Sequence, residues 1–194
     1  MKPYDDQVVS VAAQVLGLRS AVERLERAAA QRENPVKAYL PLFEALNWIV
    51  AIDDRVGAIW VPEGVKLGPS WRARVSGGEV IVGLDWARNV VHHQWADALE
   101  LDPVGHGLYP SEALSPSEDL FPKEDFAWVW RGQDDLPKRR TRKRRKGSAA
   151  AADEGRIAYA GHLAGRSAAE TLRQGLGVCE WVAGLLEPGR PPEP

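Results

Sequence analysis

Apolar positions recur at alternating spacings of three and four through the first thirty residues, at Val8, Val11, Val15, Leu18, Val22, Leu25 and Ala29. That rhythm puts them on one face of a helix, while Arg19, Glu23, Arg24, Glu26 and Arg27 fall off it. A cap at Asp5 or Asp6 opens this helix, which is predicted to run to about Gln31. Asn34-Pro35 is a cap followed by a proline at the first helical position. It predicts a second helix, from there or from Pro41 to about Asp54, with Leu42, Phe43, Leu46, Ile49 and Val50 inward. Asn47 interrupts that apolar run, either as a buried hydrogen-bonding residue or as one that reaches toward Arg88. Asp53-Asp54-Arg55 reads as a C-terminal helix end with surface ion pairs.

From Gly83 to Leu99 the chain has no proline and no internal glycine. Leu84, Ala87, Val91, Trp95 and Ala98 form an apolar stripe at about 100° per residue. Asp85, Asn89, His92, His93, Ala96 and Glu100 lie opposite, with Arg88 on the border. A fourth helix is predicted from Ala149 to about Leu163, closed by Gly165 in a left-handed cap. Ser167-Ala168-Ala169-Glu170 is a capping box for a fifth, with Leu172, Leu176, Cys179, Ala183 and Leu186 on its inner face.

The segments between are richer in glycine and proline. Residues 57–80 read as loop, with Ala58–Val61 and Arg72–Val75 as short strands or turns, and Trp60 and Trp71 packed over a bundle end. If extended, Arg72 and Arg74 share a face, by default toward solvent. Residues 101–124 read as irregular, and Phe126–Arg131 alternates aromatic and small residues as a short strand does. The fold class expected is all-α: one domain over 1–187, an up-and-down bundle of about five helices. It carries a long irregular insertion at 102–148 with room for short strands, and a disordered, proline-rich tail at 188–194.

Charge changes this picture in one place. The formal net charge is −2, from 25 basic and 27 acidic residues. Eight of the basic ones, Lys138, Arg139, Arg140, Arg142, Lys143, Arg144, Arg145 and Lys146, fall within nine positions. The rest of the chain then balances at −10, from 17 basic against 27 acidic residues. An acidic body with one basic strap suits a polyanion, bound with strong salt dependence. The strap contains no aromatic residue to stack on bases, so it would not read sequence. Cys179 is the only cysteine, which fits a reducing, cytoplasmic setting and excludes a cysteine-rich zinc site. No stretch is long enough to span a bilayer.

The candidate chemistry lies on the third helix. Asn89 and His93 are four residues apart and stack on adjacent turns, with Arg88 beside them. A fixed cation, an amide and a titratable imidazole can hold a phosphate and move a proton near neutral pH. Adjacent His92 and His93 point about 100° apart and do not readily share a metal, so neither metal nor cofactor is expected. Arg88-Asn89-Val90-Val91-His92-His93-Gln94-Trp95 resembles the R-N-x-x-x-H-x-Y signature of the HEPN superfamily. Those are small all-α domains, many of them metal-independent ribonucleases in toxin–antitoxin and phage-defence systems.

The resemblance implies catalytic roles for Arg88, Asn89 and His93. His92 has no counterpart, and Trp95 stands where the toxin branch has its modifiable tyrosine. It also implies an RNA substrate, a site completed in a homodimer, and an antitoxin or other protein partner. The alternative is a non-catalytic helical module that binds nucleic acid or protein through the same basic run. Cys179 reads as a core residue rather than a nucleophile, because no base adjoins it.

Overall fold

A computed structural model describes residues 3–30, 35–59, 69–104, 125–136 and 148–186. Within the third helix, the side chains of residues 93–97 lie outside that description. The elements are α1 (Pro3–Ala30), α2 (Pro35–Ile59), a 3-10 turn (Pro69–Arg74) and α3 (Gly78–Ala98). They continue with β1 (Leu99–Val104), β2 (Asp125–Trp130), α4 (Ser148–His162) and α5 (Ala168–Leu186). The fold is a five-helix all-α bundle with a small strand-containing insertion, as the hydrophobic pattern predicts.

The seam of α1 is the clearest case. Val11, Val15, Leu18, Val22 and Leu25 are all buried, joined by Ala21 and Ala28. They meet Leu42, Leu46, Ile49 and Ile52 of α2 and Leu172, Leu176 and Val182 of α5 in one core. Gly17 lets the indole of Trp48 lie against α1, since a Cβ there would fall 2.6 Å from Trp48 Cε2. Exposed ion pairs Arg19–Glu180 and Arg173–Glu26 run antiparallel along α1 and α5. Such pairs contribute little to stability.

Two helices are longer than the local signals indicate. α2 begins at Pro35, the earlier of the two starts expected, and passes through Pro41, which lacks the N–H its position would donate. It runs past Asp54 to Ile59, because Ile52 and Val56 continue the buried stripe. α3 begins at Gly78, five residues before the expected start, and Val80 and Ile81 are buried in its first turn.

The insertion opens on a two-stranded antiparallel sheet in which Leu99 pairs with Trp130 and Val104 with Asp125. β2 lies where the aromatic alternation puts a strand. β1 falls largely in the stretch expected to be irregular, and includes Pro103. A two-stranded sheet leaves β1 an outer edge, where a proline costs no ladder bond. Trp130 is fully buried and donates from Nε1 to Thr171 Oγ1 at 2.7 Å. Gly165, at φ 71°, turns the chain from α4 into α5 and donates its N–H to Trp130 O at 2.8 Å. Ser167 Oγ then accepts from Glu170 N at 3.3 Å, the capping contact expected of that box. The basic strap and most of residues 101–124 lie outside the described residues.

Candidate functional site

α2 and α3 pack side by side, and their shared seam carries a run of polar and aromatic side chains. At one end is a cluster joined across three elements. Asp53 of α2 is only 8% exposed. Its Oδ1 accepts from Trp71 Nε1 at 2.8 Å and from Arg72 Nε at 2.6 Å, and Arg72 Nη2 donates to its Oδ2. Arg72 Nη2 also reaches Asp85 Oδ2 of α3, at 3.5 Å. The backbone makes this meeting possible. Gly77 is left-handed at φ 79°, Gly78 N donates to Val75 O at 3.1 Å, and the chain doubles back from the 3-10 turn into α3.

Of the two forms the spacing allows at Arg72–Val75, the structure takes the turn, since the 3-10 turn extends through Arg74. Two other expectations are corrected, the default placement of Arg72 toward solvent and the reading of Asp53. Arg72 then turns inward while Arg74 is exposed. Asp53 does form an ion pair, but a buried one within α2 rather than at a surface helix end, and it anchors the cluster. The signal for it lies in the spacing: Leu42, Leu46, Ile49, Asp53 and Val56 share the core stripe of α2. A carboxylate on a core stripe requires a partner cation.

Burial works against charge on Arg72, but its bonds to Asp53 and Asp85 outweigh that and hold it protonated. Asp85 is pushed above the ordinary aspartate value of 3.8, chiefly by burial and partly by the charge of Asp53, although Arg72 pulls the other way. A raised carboxyl favours folding when protonated. Its contribution is full below 3.8 and is lost as pH rises through the elevated value. Asp85→Asn, which mimics the neutral form, is therefore expected to match or exceed the parent in stability at neutral pH. Its advantage should shrink to nothing on acidification, as read by denaturant midpoints across pH.

Midway along the seam, Asn47 does both things its position suggests. Its Nδ2 donates to Phe43 O at 2.8 Å, and its Oδ1 accepts from Arg88 Nε at 3.3 Å. The first bond fixes the amide so that the oxygen faces the guanidinium. Asn89, one residue on, is exposed and donates to Asp85 O of its own helix at 3.2 Å. Beyond Asn47, the exposed His92 ring stacks on Phe43, centroids 5.6 Å apart and planes 23° apart.

Of the three residues read as catalytic, the structure places Arg88 toward α2 and Asn89 outward on the same turn of α3. His93 follows Asn89 by one turn in the helix, with its side chain outside the described residues. The pairing of His92 with Phe43 has no signal in the motif, since ring stacking between helices leaves no mark in local spacing. Cys179 is 1% exposed and its thiol is pushed up to about 12, mainly by burial. That accords with its reading as a core residue. Among the described residues, no three His, Cys, Asp or Glu side chains are grouped to hold a metal ion. No described helix is long and apolar enough to cross a membrane. Comparison of the chain with protein-family models, with curated proteins and with solved structures found no match in any of the three.

Proposed function

We propose that the chain is a HEPN-like, metal-independent endoribonuclease whose reactive face is the Arg88–Asn89–His93 side of α3. The observation that carries this reading is the partner of Arg88. Arg19, Arg24, Arg72 and Arg173 are ion-paired to carboxylates. Among the described residues, Arg88 is instead held by a neutral amide, the Asn47 side chain. An amide orients a guanidinium without cancelling its charge. The terminal nitrogens of the fork then suit a phosphate, and the charge suits the one that builds up at phosphorus during transfer.

The chemistry proposed uses these residues alone. His93 takes the proton of a ribose 2′-OH, and the 2′ oxygen attacks the adjacent phosphorus. The P–O5′ bond breaks, O5′ leaves with the proton that His93 gives back through solvent, and a 2′,3′-cyclic phosphate remains on the upstream fragment. Arg88 stabilises the phosphate oxygens, and Asn89 orients the group. One chain carries one such motif, so a two-fold dimer that brings two α3 helices together would complete the cleft. The basic strap would draw RNA to an otherwise acidic body, and toxin–antitoxin or phage defence is the setting the motif suggests.

A second reading, a non-catalytic helical module that binds nucleic acid or a protein partner, is favoured by one fact. Arg88 and Asn89 each make a hydrogen bond inside their own protomer, as structural residues do. Cleavage of a labelled single-stranded RNA by the whole chain separates the two. Cyclic-phosphate ends from the parent, with loss of cleavage in both His93→Ala and Arg88→Ala, would uphold the nuclease. Cleavage that survives His93→Ala ends it, and RNA binding without any cleavage selects the module.

A further inference from the structure

The α2–α3 seam continues past Arg88 as a ladder of rings. Tyr39 and Phe43 are one turn apart on α2, with centroids 5.7 Å apart and planes tilted by 31°. Phe43 stacks in turn on His92 of α3, at 5.6 Å and 23°. Tyr39 and Phe43 are half-buried, and His92 at the end of the ladder is exposed. Arg88 precedes His92 by four residues, about one turn of α3 and about 6 Å along the axis. The amide that holds Arg88 belongs to Asn47, one turn beyond Phe43 on α2. A stack of rings that ends on the exposed His92 and an oriented cation thus lie along one seam between α2 and α3, a helical turn apart.

That pairing is what a nucleotide requires. A base has a π-face that stacks on aromatic rings whatever its identity, and its phosphate takes a guanidinium. The helical turn between His92 and Arg88 is comparable to the distance from a base to its own phosphate. The basic strap has no ring to offer, so any preference for bases over bare backbone must come from elsewhere in the chain. We infer that Tyr39, Phe43 and His92 form a base-stacking subsite that takes an unpaired RNA base while Arg88 holds the adjoining phosphate. This rests on the RNA reading above and adds to it the residues that recognise a base.

The test measures binding of the whole chain by fluorescence anisotropy. The probes are a labelled single-stranded 2′-O-methyl RNA and an abasic phosphodiester strand of equal length and charge. Since the 2′ oxygen of the first is blocked, its binding does not depend on cleavage. Failure of the nuclease reading and failure of the subsite are therefore separate results. The base-bearing strand should bind about tenfold more tightly than the abasic one, a typical yield of base–aromatic stacking. His92→Ala, at an exposed position, should abolish that preference and leave abasic binding unchanged. Phe43→Leu should do the same, and Arg88→Ala should weaken both strands alike. Equal affinity of the parent for the two strands overturns the subsite. So does binding to neither strand, or a preference that persists in both His92→Ala and Phe43→Leu.

Discussion

Arg72→Ala is expected to cost about 3–5 kcal/mol of stability, the range for breaking a buried ion pair from one side. Its partner Asp53 is 8% exposed and would keep one described donor, Trp71 Nε1 at 2.8 Å. A carboxylate left charged on a helix face shared with the buried Ile49, Ile52 and Val56 is poorly reached by solvent that could replace the lost guanidinium. The reverse change is milder. Asp53→Asn retains an acceptor for Trp71, and Arg72 still reaches Asp85. The loss there should be about 1–3 kcal/mol, that of an imperfectly satisfied buried group.

Replacing both members together, as Asp53→Leu with Arg72→Met, should recover much of the single-variant loss, because neither buried charge then remains. Equilibrium denaturation read at constant m-value separates these outcomes. A loss below about 1 kcal/mol for Arg72→Ala would mean that the pair behaves as a solvated surface bridge. The cluster would then not be what joins the 3-10 turn to α2 and α3.

That cluster also marks where reading the chain by spacing stops. The seam of α1, the capping box at Ser167 and the left-handed Gly165 are all visible in the sequence. Each depends on residues within four or five positions of one another, which helical periodicity reports directly. Arg72 meets Asp53 across 19 positions and Asp85 across 13, and no local rule pairs them. β1 is hidden for the same reason: its partner strand lies beyond a long intervening segment, and Pro103 argues against a strand when β1 is read alone.

The candidate site divides along the same line. Arg88 and Asn89 follow from their places on one helix. The Asn47 oxygen that orients Arg88 and the Phe43 ring beneath His92 come from another helix, and only packing brings them there. Asn47 is nonetheless conspicuous in the sequence as a polar residue inside an apolar run. A half-buried amide needs partners, and a reach toward α3 is one of the two answers its position allows.

Gly78→Ala should destabilise the fold by about 1–3 kcal/mol or more, the usual cost of overpacking. Helix propensity alone gives the opposite sign, since alanine in a helix gains about 0.8–1.0 kcal/mol over glycine. Packing decides. A Cβ at Gly78 would stand 1.8 Å from the carbonyl oxygen of Arg72 and 2.6 Å from its carbon. Those are backbone atoms, which cannot swing aside as a side-chain tip does, so the 3-10 turn would have to move. Moving it withdraws Arg72 from Asp53, and part of the cost is then the same ion pair. Gly78→Ala and Arg72→Ala should therefore be non-additive, the double variant losing less than the two single losses combined. Gly177, within α5, has no atom within 4 Å of its ideal Cβ, and Gly177→Ala should stabilise by about 0.5–1 kcal/mol. If Gly78→Ala behaved like Gly177→Ala in denaturant melts, the 3-10 turn could not be packed against the start of α3. If its loss simply added to that of Arg72→Ala, the turn would not be what carries Arg72 to Asp53.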